Sequence, residues 1–428
     1  MNTQRRVPPL LAYLLIAAGL LGGIGKTISH TLITDFPVDM IIYREGVKAF
    51  LSGGEVYSQP MYAGDITLPF IYPPFGALVM VPLVAFESMS DDLAGDIMIV
   101  LSDLLLLACI YLVARAILPA MARRNFLAVV FVVWAVVLGF EPVELNNGFA
   151  QINIAIMALV VFDLVPRKRY LPQGWLIGVA AAIKLTPAAM LLYFLVRKDA
   201  KPIITAAVSG VVATALAAAV RWDVFVEFFF GKMLAMGSGD DFGVGTAYQS
   251  NSSWKGVLER AFSSAEAAEA HSTFLNVAWL IGVVVIIGVG AWLMRGLFRR
   301  GLDIDAALTA TVVMLLISPV SWSHHWVWLT LILQVLAYRA WSWRHQTWVA
   351  GSLIAVVAAW AFFLLTVPPK WWFGDDIDVY GLNSMQKFLV SDFVWLIVIA
   401  GSLYAYCALQ QPRRELSTES RARGPVSA

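Results

Sequence analysis

Residues 318–326 read SPVSWSHHW, a polar stretch between two strongly apolar runs, 305–318 and 325–338. Basic residues close the far ends of both runs: Arg295, Arg299 and Arg300 on one side, Arg339 and Arg344 on the other. Lys and Arg flanking membrane helices stay in the cytoplasm. The two runs therefore read as a returning pair of membrane helices with SPVSWSHH at the outer apex. Three of the five histidines stand singly, so the pairing of His324 and His325 at this apex calls for a reason.

Composition agrees with that reading. Of 428 residues, 60% are hydrophobic and 14% charged, and the mean hydropathy is +0.75. A soluble domain lacks the polar surface to cover so much apolar area. A membrane β-barrel would alternate in segments of about ten residues, and no such pattern occurs. The formal net charge of +1 gives no case for nucleic acid. Cys109 and Cys407 both fall in apolar runs, so no disulfide is expected and the redox compartment stays open. Neither GxxxxGK[ST] nor a strand-borne GxGxxG is present, which argues against nucleotide-driven transport.

Extending the charge rule along the chain assigns 20 of the 30 Lys and Arg to one face and leaves 22 of the 29 acidic residues on the other. Both termini are then cytoplasmic. The N-terminal MNTQRRVPPLLAYLLIAAGLLGGIG lacks a small-x-small cleavage site and reads as an uncleaved first helix, 9–28. Further segments follow at 94–118, 125–141, 150–165, 172–184, 186–196 and 202–220. The series ends with 273–294, the opening pair, 347–366 and 388–408. The expected fold is an all-α polytopic membrane protein of about 12 membrane segments: one domain over 1–410, then a cytoplasmic tail, 411–428.

This topology puts most unusual polar clusters on the outer face. Met40 to Leu51 has the apolar spacing of an interfacial helix, with Asp39 at its N-cap position and Gly53 and Gly54 ending it. Asp39 fits either a cap or a carboxylate base beside the positive helix end. Asp35, before Pro37, fits an ordinary turn. In LPFIYPPF, Pro73 and Pro74 would start an interfacial helix with Tyr72 as an aromatic anchor or a site residue. Gln151 and Asn153, at the mouth of a span, must face the bundle, to knit helices or to bind a sugar. Lys184 lies between two half-length helices broken by Pro187; an ionisable group at membrane depth marks a site unless it snorkels. The segment YQSNSSWKGVLER offers Asn251, Trp254, Lys255 and Arg260, with the two cations suited to an anionic headgroup or to solvent. Trp322, Trp326 and Trp328 would form an interfacial belt around the histidines. Adjacent histidines chelate a metal poorly and no HExxH is present, so no metal or other cofactor is expected. Contact with a phosphate suits an imidazole better.

With these residues assembled, the chain resembles glycosyltransferase family 87, the polyprenyl-phosphate-mannose-dependent mannosyltransferases of actinobacteria. It is most similar to those α-1,2-mannosyltransferases that elongate phosphatidylinositol mannosides. The resemblance runs from about 30 to 330 and is carried by Asp39 with Tyr43, LPFIYPPF (68–75), AQIN (150–153), IKLTP (183–187), NSSWKG (251–256) and SPVSWSHHWVWL (318–329). It implies a GT-C fold with an interfacial helix after the first span and a catalytic aspartate at Asp39. It also implies a metal-free reaction and a donor phosphate near His324 or His325. Donor or acceptor contacts would come from Lys184, Tyr72, Gln151, Asn153, Asn251, Trp254 and Lys255. The partners implied are a polyprenyl-phosphate sugar, a glycolipid acceptor and the plasma-membrane bilayer, with the site facing the periplasm. The family often has Gly before the glutamine, where this chain has Ala150. Two alternatives stand beside this reading: an arabinofuranosyltransferase using a lipid-linked arabinose, and a lipid transporter or flippase, against which the lack of internal repeats counts.

Overall fold

A computed structural model describes residues 8–413 except 87, 166–167 and 236–242. Arg5 and Arg6, part of the basic cluster at 166–169, most of the Gly- and Asp-rich loop at 237–245 and the tail beyond 413 lie outside the described residues.

The chain is mostly helical. It begins with α1 (Pro9–Ile33) and α2 (Val38–Ser52), then an antiparallel hairpin, β1 (Met61–Ala63) and β2 (Ile66–Leu68), then α3 (Pro74–Met80). Next come α4 (Asp91–Ile117), α5 (Arg123–Val137), α6 (Glu141–Gly148), α7 (Asn153–Leu164), α8 (Trp175–Ile183), α9 (Leu191–Arg197) and α10 (Ala200–Val220). Short helices α11 (Trp222–Glu227), α12 (Met233–Ala235), α13 (Trp254–Arg260) and α14 (Ala265–Ala270) follow. The bundle closes with α15 (Ser272–Phe298), α16 (Asp303–Ile317), α17 (Leu329–Trp343), α18 (Trp348–Leu365), α19 (Ser384–Val390) and α20 (Asp392–Leu409). A 3-10 turn, Ser323–Trp328, joins α16 to α17.

Among the described residues six helices are long and apolar enough to cross a membrane: α1, α4, α10, α15, α18 and α20. The pair α5 and α6, bent by 65°, makes a seventh if it counts as one span. The other expected segments are shorter. At 15 residues each, α16 and α17 extend about 22 Å, less than a hydrocarbon core of about 30 Å. Nine of the twelve residues of α7 are buried, including Asn153 and Asp163. The expectation of an all-α chain also gives way locally. Gly64, at φ +58, turns the backbone so that Met61 pairs with Leu68.

Three local choices fix how neighbouring helices meet. The backbone of Phe131 in α5 lies 2.6 Å from where a Cβ on Gly19 would sit, so glycine permits that close crossing of α1 and α5. Gly174 adopts φ +95 ahead of α8, where a Cβ would meet the Pro202 carbonyl at 2.0 Å. Asp163 of α7 then accepts the backbone N–H of Gly174 (2.7 Å) and of Ile177 (3.0 Å). This carboxylate at the N-terminus of α8 locks α8 onto α7. Its consequence is positional: Lys184, just past α8, comes beside Asn153 at the start of α7.

Two expectations for the interfacial helix change. The residue preceding α2 is Pro37, and Asp39 sits inside the first turn with no capping bond. Gly53 does end the helix, in the left-handed conformation. The buried stripe runs through Met40, Tyr43, Val47 and Phe50, while Leu51 is exposed. This helix therefore seats its apolar side on protein.

Candidate active site

A cavity of about 800 Å³ opens between α2, the segment 68–73, the start and end of α6, the break at 184–186, the 318–325 turn and residues 366–375. Asp39, Tyr43, Tyr72, Gln151, Lys184, His324 and His325 all line it.

The half-buried Asp39 carboxylate accepts a 2.5 Å hydrogen bond from Gln151 Nε2. The Gln151 amide is oriented from its other side, where Oε1 accepts from the Tyr43 hydroxyl at 2.5 Å. Tyr43 in turn pairs with the Tyr72 hydroxyl at 2.7 Å. Tyr72, Tyr43 and Gln151 thus form a relay that ends on Asp39. Burial pushes the Asp39 carboxyl up to about 6, against the opposing pull of the Gln151 hydrogen bond and the Lys184 charge. A carboxylate with that poise can take a proton near neutral pH.

Lys184 Nζ, in the same cavity, donates to Asn153 Oδ1 at 2.8 Å and lies 3.3 Å from His325 Nε2. An ammonium only donates, so the His325 Nε2 facing it is the acceptor nitrogen of a neutral ring. Asn153 Nδ2 reaches Gln151 Oε1 (3.3 Å) and the His324 carbonyl (3.4 Å), linking the two groups. The His324 ring packs edge-on against Phe149 and His325, and its buried Nε2 has no hydrogen-bond partner among the described residues. His325 is therefore the ring that meets the cation; His324 is mainly packed. Gln151 follows Ala150, which holds φ +50. Glycine would adopt this left-handed conformation more readily than alanine does.

Other expected residues lie elsewhere. Tyr72 is buried in the relay and is no interfacial anchor. Asp35 is exposed and lines no part of the cavity. Asn251 is fully buried: its Oδ1 accepts from Ser253 N and Ser321 N, and its Nδ2 donates to the Thr246 and Pro319 carbonyls. It braces the 318–325 turn from behind. Trp254 packs toward Gly282 of α15, and Lys255 lies over the Trp279 ring at 5.5 Å. The structure does not bring Asn251, Trp254 or Lys255 to the cavity wall. Arg260 meets no headgroup, because it is buried and donates to the Ala247, Tyr248 and Asn251 carbonyls and to Ser391. Trp326 and Trp328 are core residues; Trp322 alone of the three tryptophans lines the cavity.

Sequence reasoning missed one wall. Glu141 and Trp371 line the cavity, and Lys370 is buried behind them, 2.7 Å from Ser252 Oγ and 3.3 Å from Asp392 Oδ1. The available signal was VPPKWW (367–372), a charged residue amid prolines and aromatics between two spans.

The glycosyltransferase family 87 profile matches residues 70–319. A polyprenol-phosphate-mannose-dependent α-(1-2)-phosphatidylinositol mannoside mannosyltransferase of Mycobacterium tuberculosis H37Rv is 31% identical over 371 residues, covering 82% of each chain. The protein of the same name from Mycolicibacterium smegmatis is 31% identical over 394 residues, covering 82% of this chain and 85% of its own. A phosphatidylinositol pentamannoside mannosyltransferase of M. smegmatis is 30% identical over 308 residues, covering 70% and 69%. No solved structure matches.

Proposed function

Because the chain belongs to glycosyltransferase family 87, we propose that it transfers mannose from polyprenyl-phosphate-mannose to a phosphatidylinositol mannoside or related lipoglycan. The fold would be of GT-C type, in the plasma membrane, with the site on the periplasmic face. The enzyme is a membrane mannosyltransferase by family and by relatives; acceptor, face and residue roles are our reading.

One observation carries the chemistry: a single cavity holds both a poised carboxylate with a fixed amide and a lysine beside a neutral histidine. Asp39 removes the proton from an acceptor hydroxyl as its oxygen attacks the anomeric carbon. The bond from that carbon to the phosphate oxygen breaks on the opposite face, so a β-linked donor gives an α-linked product. Polyprenyl phosphate leaves with the bonding electrons. Lys184, held by Asn153 and His325, meets the charge that grows on the departing oxygen. Gln151 keeps the Asp39 carboxylate aimed.

The reading is tested with the purified protein in liposomes given labelled polyprenyl-phosphate-mannose and, in parallel, polyprenyl-phosphate-arabinose. Mannose should appear on a phosphatidylinositol mannoside acceptor in α linkage. Transfer of arabinose alone would replace it with the pentosyl reading, and retention of configuration would remove Asp39 as the sole base.

A further inference from the structure

We infer that the end of the cavity around Glu141, Trp322 and Trp371 is a carbohydrate subsite that holds the terminal mannosyl residue of the acceptor. This inference rests on the mannosyl-transfer reading. The Glu141 carboxylate is buried yet lines the cavity. Ser323 Oγ lies 2.7 Å from each of its oxygens, and Trp371 Nε1 donates to Oε1 at 2.6 Å. A carboxylate offers about four lone-pair sites, so one hydroxyl and one indole N–H leave room for further donors. Sugar hydroxyls are such donors. Lys370 stands behind, 3.4 Å from Ser323 Oγ, and balances the charge so that the carboxylate remains an acceptor.

The wall beside Glu141 is aromatic. The Tyr248 ring lies edge-on 6.1 Å from Trp322 and 6.3 Å from Trp371, and all three line the cavity. Tyrosine and tryptophan present a broad apolar face with a polar edge, which matches the C–H face and hydroxyl rim of a pyranose. The subsite also stands in the right place. Ser323, His324 and His325 are consecutive; Ser323 holds Glu141 while His325 stands at Lys184. One short turn thus joins the phosphate end to the sugar end, as transfer between adjacent sugars requires.

The probe is octyl α-mannoside, titrated against the protein in nanodiscs and followed by saturation-transfer NMR, alongside the mannosyl-transfer assay. Wild type should bind it, and Glu141→Gln and Trp322→Leu should each bind about tenfold more weakly, the loss expected of one charge-assisted contact or one stacking face. In transfer, the acceptor KM should rise by a similar factor while the donor KM stays within about twofold. Unchanged donor KM also shows that the variants are folded. If wild type transfers mannose and both variants bind the mannoside as wild type does, the subsite is overturned and the function stands. If mannoside binding fails in the variants but wild type transfers no mannose, the subsite stands and the function falls.

Discussion

Two influences meet at Asp39: its charge is penalised by burial, and its oxygen is held by a positioned amide. Because its pKa in the folded protein is raised, to about 6, the ionised form costs stability as pH rises through that value. Asp39→Asn should therefore leave thermal stability equal or higher while turnover falls by about 10² or more. The pH profile follows from the same shift. Wild-type kcat/KM should climb about tenfold per unit below pH ~6 and level off above it, a limb absent from residual Asp39→Asn activity. An active Asp39→Asn enzyme would reduce the residue to scaffolding. The histidines allow a sharper contrast. His325→Ala frees the Lys184 ammonium and should cost about 10²-fold in turnover. His324→Ala removes an edge-on ring and should act mainly on stability. Equal, slight losses in both would move the phosphate away from this turn.

At the scale of elements, charge far from the cavity ties helices together. Asp305 of α16 accepts two hydrogen bonds from Arg339 of α17 (3.0 and 2.8 Å) and one from Tyr404 of α20 (2.6 Å). Removing one partner of a buried pair leaves the other uncompensated, at a cost of about 3 kcal/mol. Asp305→Asn should thus lower the melting temperature in detergent, with kcat per folded molecule within about twofold of wild type. A large kcat loss at unchanged stability would show that this clamp reaches the site. The elements also show what the sequence makes legible. The long spans are visible because each residue's hydropathy speaks for itself. The Asp39–Gln151 meeting is legible only through the motif order, since 112 positions separate the two. Lys370 and Glu141 could not be paired from sequence, because long-range contact leaves no trace in spacing. For the short helices α7, α8 and α9 the sequence cannot separate burial in protein from burial in lipid, because both select the same side chains.

For the molecule as a whole, orientation is the proposal that joins the cavity to a compartment. Cysteines introduced at the exposed Ser58 and Ser263 should react with an impermeant thiol reagent on intact spheroplasts, and one at Ser417 should not. Labelling only at Ser417 would turn the protein over and place the cavity at the cytoplasm. The cavity has one more consequence. Lys184 and Asp39 face each other inside it rather than on an open basic patch. Dissolved ions weaken charges they can surround, and raising salt from about 0.05 to 0.5 M shortens the screening length from roughly 14 to 4 Å. A shielded lysine scarcely registers that change. The donor KM should move by less than about twofold across the range, so that the enzyme works alike in dilute and in brackish surroundings; a tenfold rise would mean the phosphate is gripped at the surface.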